Sequence, residues 1–144
     1  MRFLLLCSLM LVSHVLAAPL AAQECPGGHP PAGDIGIRGL LCRGPAASCA
    51  INVRAPDDGP ARHVFAVEPV IATLADGVTT ELRAGDTLVA IDSLLITTAA
   101  GGERLARVPV AAPVRLLVRR DGVLTEVHVI ARRGCGVTSL RVSR

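Results

Sequence analysis

The chain has 144 residues, a formal net charge of +3 and only two aromatic residues, both Phe. Its basic residues are all Arg, spread from Arg38 to Arg144 once the N-terminal Arg2 is set aside. No basic face interleaved with stacking rings results, so nucleic acid is excluded as the expected partner.

In chain order the first feature is an export signal over residues 1–22. Arg2 supplies a positive start, Phe3 to Leu16 is almost unbroken apolar sequence, and a small-residue patch follows at Ala17 to Ala22. The run is shorter than the ~20 apolar residues a bilayer span requires, so a removed leader is expected rather than a membrane helix. Cys25 follows Glu24 rather than a small residue, which argues against a lipid anchor. Removal leaves roughly 120 residues, the size of one small domain. With Phe65 as its one aromatic residue, the core of that domain must be built from Val, Leu, Ile and Ala.

Without Cys7 an even set remains, Cys25, Cys42, Cys49 and Cys135, and in an exported chain such a set reads as disulfides. Four cysteines permit three pairings. The one favoured joins Cys42 with Cys49 across a local loop and Cys25 with Cys135 between the two ends. A metal site combining thiols with His29 or His63 is the rival reading, and no Cys-x-x-Cys or His-x-x-x-His spacing supports it. No metal and no cofactor is expected.

Residues 23–33, with Gly27, Gly28, Pro30 and Pro31, read as an irregular arm. Ile35 to Cys42 is expected to form a strand, loosened at Gly39. Ala50 to Val53 makes a brief strand between two clusters of breakers. His63 to Val70 is expected as one strand, with Val64 and Ala66 turned to the core and Pro69 ending it. Ile71 to Leu82 reads as a turn with a short helix. Gly85-Asp86 then turns the chain into the strand Thr87 to Asp92, Gly85 through a positive φ and Asp86 by bonding nearby N–H groups. Leu94 to Ile96 continues that strand. Thr97 or Thr98 caps a helix running to about Val108, in which Gly101 and Gly102 cost around 1 kcal/mol each. Val114 to Arg120 and Val123 to Ile130 flank Asp121-Gly122, a strong hairpin signal. Residues 132–144 read as a tail tied back through Cys135.

From about Asp34 to Ala131 these pieces stand in the order found in bacterial PDZ domains, which the chain resembles. Ile35-Gly36-Ile37 looks like the carboxylate-binding loop, Val64 to Pro69 like a central strand, and Leu82 to Asp92 like the Gly-Asp segment. Ile96-Thr97-Thr98 looks like the opening of the groove helix, and Val114 to Ile130 like the closing hairpin. The resemblance implies an α+β fold for residues 34–131, a small, partly open antiparallel β-barrel or sandwich of five to six strands with one or two helices. It also implies a function, docking of a peptide or protein C-terminus by strand addition along Ile37 to Cys42. The N–H groups of Ile35, Gly36 and Ile37 would hold the terminal carboxylate. Arg38 lies on the receiving strand, and Leu40, Ala100, Arg104 and Leu105 would shape the pocket for the last side chain.

Catalysis is not expected, since no Gly-x-Ser-x-Gly or Gly-Asp-Ser-Gly is present and the thiols are expected to be paired. His63, His128, Glu68, Asp92 and the pair Asp57-Asp58 read as surface or turn residues. The first expectation is therefore a noncatalytic periplasmic or secreted peptide-binding module, with no membrane contact after leader removal. The second is a disulfide-stabilised interaction protein of PDZ-like fold that has lost carboxylate binding and uses the loop Arg43 to Ser48 as its contact surface.

Overall fold

The computed structural model describes residues 25, 30–45, 48–52, 62–77 and 81–143. The expected leader, His29 and Asp57-Asp58 lie outside the described residues. Among the described residues, eleven strands and one helix follow one another as β1 (Ala32–Asp34), β2 (Ile37–Arg43), β3 (Cys49–Asn52), β4 (Arg62–Phe65), β5 (Val70–Leu74), β6 (Thr87–Ile91), β7 (Leu94–Leu95), α1 (Ala99–Ala106), β8 (Pro113–Arg120), β9 (Val123–Ile130), β10 (Arg132–Gly134) and β11 (Ser139–Ser143).

The main sheet runs in the order β11-β2-β5-β6-β8-β9, with β7 folded back on β6; β1 pairs with β10, and β3 with β4. This is an α+β architecture in which no barrel closes. It carries more strands than expected and is not purely antiparallel, because β11 pairs with β2 in parallel. The expected tail is thus built into the structure twice, through β10 and through β11. The Cys25–Cys135 disulfide, spanning 110 positions, pins the arm to it, and Cys42–Cys49 closes the short loop as expected.

Aliphatic residues from several strands fill the core, among them Ile37, Leu40, Ile71, Leu88, Ile91, Leu116, Val118 and Val127, all buried. Burying each side chain of this kind contributes about 1.5–3 kcal/mol. The hairpin β8–β9 is the most regular part, paired without a break from Arg120↔Val123 to Pro113↔Ile130. Asp121 and Gly122 both take positive φ, 49° and 80°, as a two-residue turn matched to strand twist demands.

Two local expectations change. His63 to Val70 is not one strand, since β4 stops at Phe65 and β5 begins at Val70 and runs to Leu74, into the first part of the stretch expected to turn and coil into a helix. The core face of β4 is also the opposite one, with Val64 56% exposed and His63 and Phe65 buried. The cause lies in the pairing. Phe65 stands across from Cys49, and Cys49 is tied to the buried Cys42, so alternate positions from Phe65 must face inward.

Helix α1 begins where expected, its first turn capped by Thr98, whose Oγ1 accepts from the Gly101 N–H at 3.2 Å. It is shorter than expected, ending at Ala106. Gly101 and Gly102 are needed rather than merely tolerated. A Cβ on Gly101 would strike the Leu95 carbonyl, and one on Gly102 the His63 carbonyl. These two glycines let the helix lie directly against β4 and β7.

Candidate functional site

Asp34 ends β1, and its carboxylate reaches over the next turn. Oδ1 accepts from the Gly36 N–H at 2.8 Å and from Arg38 Nη1 at 2.8 Å, while Oδ2 meets Arg38 Nη2 at 2.7 Å. Asp34 is 7% exposed. Its hydrogen bond and charge raise the Arg38 pKa against the lowering effect of burial. Gly36 takes φ +86°, and its carbonyl accepts from the Ala75 N–H at 2.8 Å. The Gly36 N–H expected to hold a ligand carboxylate is therefore occupied by a carboxylate of the same chain.

The strand expected to receive a peptide is occupied as well. β2 has β5 on one side and β11 on the other, with Ser139↔Gly39 through Ser143↔Arg43 in register. The Thr138 N–H adds a bond to the Arg38 carbonyl at 3.0 Å, and the Gly44 N–H one to Ser143 at 2.9 Å. Gly39, expected to loosen the strand, instead fits it between neighbours, since a Cβ there would meet Thr73 and Ser139 side chains. The free β2 edge that the expected mechanism needs is absent from this arrangement.

The remaining expected site residues disperse. Ile35, Ile37 and Leu40 bury their side chains in the core, and so does Leu105 from α1. Arg104 pairs with Asp92, through Nε at 2.7 Å and Nη2 at 2.6 Å. Burial pushes the Asp92 carboxyl upward, but hydrogen bonds from the Arg115 N–H and Arg104 outweigh it and the net shift is downward. Ala100 is exposed on a helix packed against β4, β6 and β7. Ile35, Gly36 and Arg38 share one cleft, whose lining includes none of the three helix residues.

That cleft, about 550 Å³, lies where the sheet fails to close, between the Ile35–Gly36 turn and the end of β9. Asp76, His128, Ile130, Arg132 and Arg133 also line it. Arg38 is neutralised by Asp34, whereas no carboxylate lies within ion-pair distance of Arg132 or Arg133 among the described residues. With Arg38 and Asp34 paired, Arg132 and Arg133 outnumber Asp76 among the charged side chains that line the cleft, so it favours an anionic guest.

Among the described residues, no strand pairs with the outer edge of the cleft's β9 wall. Arg115 turns its own backbone away from β9, its N–H donating to Asp92 Oδ1 at 2.9 Å and its carbonyl accepting from the Asp92 N–H at 2.7 Å. Since Arg115 stands across from His128, that pair is not bonded through the ladder, and His128 must direct its N–H and C=O to the far side. Alternation extends this to Leu124, Glu126 and Ile130. Their side chains share one exposed face, with Leu124 54% and Ile130 62% exposed and the His128 side chain, bonded to Glu126 of its own strand at 2.8 Å, 73% exposed. In the sequence alone this hairpin reads only as a closing element. The available signals were the Arg132-Arg133 doublet directly after the strand and the absence of Lys, Pro or Gly within it.

Cys25, Cys42, Cys49 and Cys135 are all spent in disulfides, which point to an oxidising, extracytoplasmic environment. Among the described residues no helix is long and apolar enough to cross a membrane. No protein-family model matches the chain, and no curated protein matches it.

Proposed function

We propose that this chain is an exported, noncatalytic interaction module of PDZ-like build that docks an extended polypeptide segment by strand addition, with β9 as the receiving edge. The observation that carries the reading is the row of outward-facing backbone groups on β9 beside a cleft where, among the described residues, Arg132 and Arg133 have no carboxylate within ion-pair distance. An incoming strand would exchange backbone bonds with Leu124, Glu126, His128 and Ile130. An acidic side chain on it would meet Arg132 and Arg133.

The noncatalytic part draws support from the side chains that could attack or abstract protons. The four described cysteines are bonded in pairs. His63 is buried against Phe65, ring centres 6.0 Å apart, and burial lowers its pKa to about 4.

A screen of short extended peptides against the oxidised chain tests the reading, each peptide made in acidic and neutral versions with free and amidated ends. Acidic peptides should bind with or without amidation, because the Gly36 N–H is already engaged, and Arg132→Glu with Arg133→Glu should abolish binding. Loss of binding on amidation alone would instead move the site to the Ile35–Ile37 turn. Equal binding of neutral and acidic peptides would remove the role given to the arginines.

A further inference from the structure

From the pattern of β9 we infer that the segment docked on this edge is the β9 hairpin of a second copy of the same chain, paired antiparallel about a twofold axis at Val127. The inference rests on β9 being a strand-accepting edge and adds the identity of the partner.

Three observations converge. First, β9 lacks most of the devices that keep sheet edges apart, Glu126 being its one formally charged side chain. It is eight residues long, contains no Lys or Pro, and pairs with β8 without a bulge, while Leu124 and Ile130 project bare from its exposed face. Such an edge is a template for another strand. β11, at the opposite end of the sheet, is shorter and carries Ser139, Arg141 and Ser143.

Second, the face is complementary to itself in one register. With Val127 opposite Val127 of the second copy, Glu126 faces His128 and Leu124 faces Ile130, each pair occurring twice. The outward backbone groups of these same four residues then meet in bonded pairs, as antiparallel geometry requires. Sliding by two residues in backbone register places Glu126 on Glu126 in one direction, or His128 on His128 in the other. Opposed like charges disfavour the first, and both lose the apolar pairing.

Third, the same register accounts for the arginines. Carried past the strand end, it brings the hairpin tip of the second copy, with Asp121 at its apex, to Arg132 and Arg133. The acidic guest that the cleft favours is then supplied by the chain itself.

The test is sedimentation equilibrium of the oxidised, leader-free chain across a wide concentration range, with circular dichroism to confirm folding. The wild type should dimerise. His128→Glu sets glutamate against Glu126 and should weaken the dimer by about tenfold or more, since opposed charge pairs occur twice. Glu126→Lys should weaken it too. An equimolar mixture of the two variants should recover association, because the introduced lysine then faces the introduced glutamate while Glu126 and His128 still meet across the other half. A monomeric wild type at every concentration, or a dimer indifferent to both variants, would overturn the inference. Peptide binding that protects the β9 amides of a strictly monomeric chain would leave the docking reading standing, whereas loss of both would remove the two together.

Discussion

Arg120, the last residue of β8, grips Asp86 with both arms of its guanidinium, Nε to Oδ1 at 2.8 Å and Nη2 to Oδ2 at 2.7 Å. Asp86 is 1% exposed and also accepts from the Arg83 N–H at 2.9 Å. The arginine's hydrogen bond holds the carboxyl below its usual pKa. One ion pair thus fastens the Gly85-Asp86 turn to the hairpin that carries β9. Arg120→Met leaves the Asp86 carboxylate without its partner and should destabilise the fold. Adding Asp86→Asn should return part of that loss. Urea denaturation of both variants measures it, and equal stability of Arg120→Met and wild type would refute the role of the pair.

His63 sets a separate acid limit. It is buried, its Nδ1 has no hydrogen-bond partner among the described residues, and burial lowers its pKa from 6.5 to about 4. The unfolded chain therefore takes up a proton before the folded one does. Stability should fall as pH drops from about 6.5 to about 4, by roughly 3 kcal/mol in total. Asp86 acts later, because a depressed carboxyl loses its contribution only as pH falls below the unfolded value of 3.8. His63→Leu should flatten the first window and leave the second. Unfolding midpoints measured across pH 3 to 8 separate them, and an unchanged slope in the variant would exclude His63.

The two disulfides should differ in worth. Cys25–Cys135 closes a span of 110 positions and Cys42–Cys49 one of 7. Loop-closure entropy assigns about 5 kcal/mol to the first and about 2 kcal/mol to the second. Replacing each pair by serine and comparing denaturation midpoints tests the order, which a larger loss from the short loop would reverse.

Helix α1 depends on its glycines. Gly102→Ala improves intrinsic helix propensity by about 1 kcal/mol but drives a methyl into the His63 carbonyl. Overpacking against backbone should prevail, with a net loss of about 2 kcal/mol. A rise in thermal midpoint would show that the helix does not lie as close to β4 as described.

Removal of residues 138–144 should uncover the β2 edge. The truncated chain should be less stable and should bind a synthetic peptide of those residues supplied separately, while the full chain should not. Isothermal titration of both chains decides this, and binding to the full chain would show that β11 does not hold its place on β2.

Where local chemistry dictates structure, the fold was legible in the sequence. Asp121-Gly122 between alternating strands specified the β8–β9 hairpin, Gly85-Asp86 its turn, and Thr98 the start of α1. β11 is not legible locally because Ser139 to Ser143 has only Leu140 and Val142 as apolar residues, and its order derives from pairing with β2 one hundred positions earlier in the chain. β4 was read on the wrong face because Val64 and Phe65 both suit a core, and only pairing with Cys49 selects between them. At the candidate site, Ile35-Gly36-Ile37 was read as a nest for a foreign carboxylate. Asp34, one residue earlier, already supplies one. The arginines of the cleft were read as part of a tail, because nothing local reveals that residues 132–134 return to β1 beside the gap in the sheet.

Residue-resolved amide exchange of the dilute oxidised chain tests the central claim most directly, that β9 is the edge left open for another strand while β2 is filled. The account requires fast exchange at Leu124, Glu126, His128 and Ile130, slow exchange at Thr125, Val127 and Val129, and protection of the fast set when a strand docks. Slow exchange at all these β9 positions in the monomer, with β2 amides facing β11 exchanging freely, would contradict it.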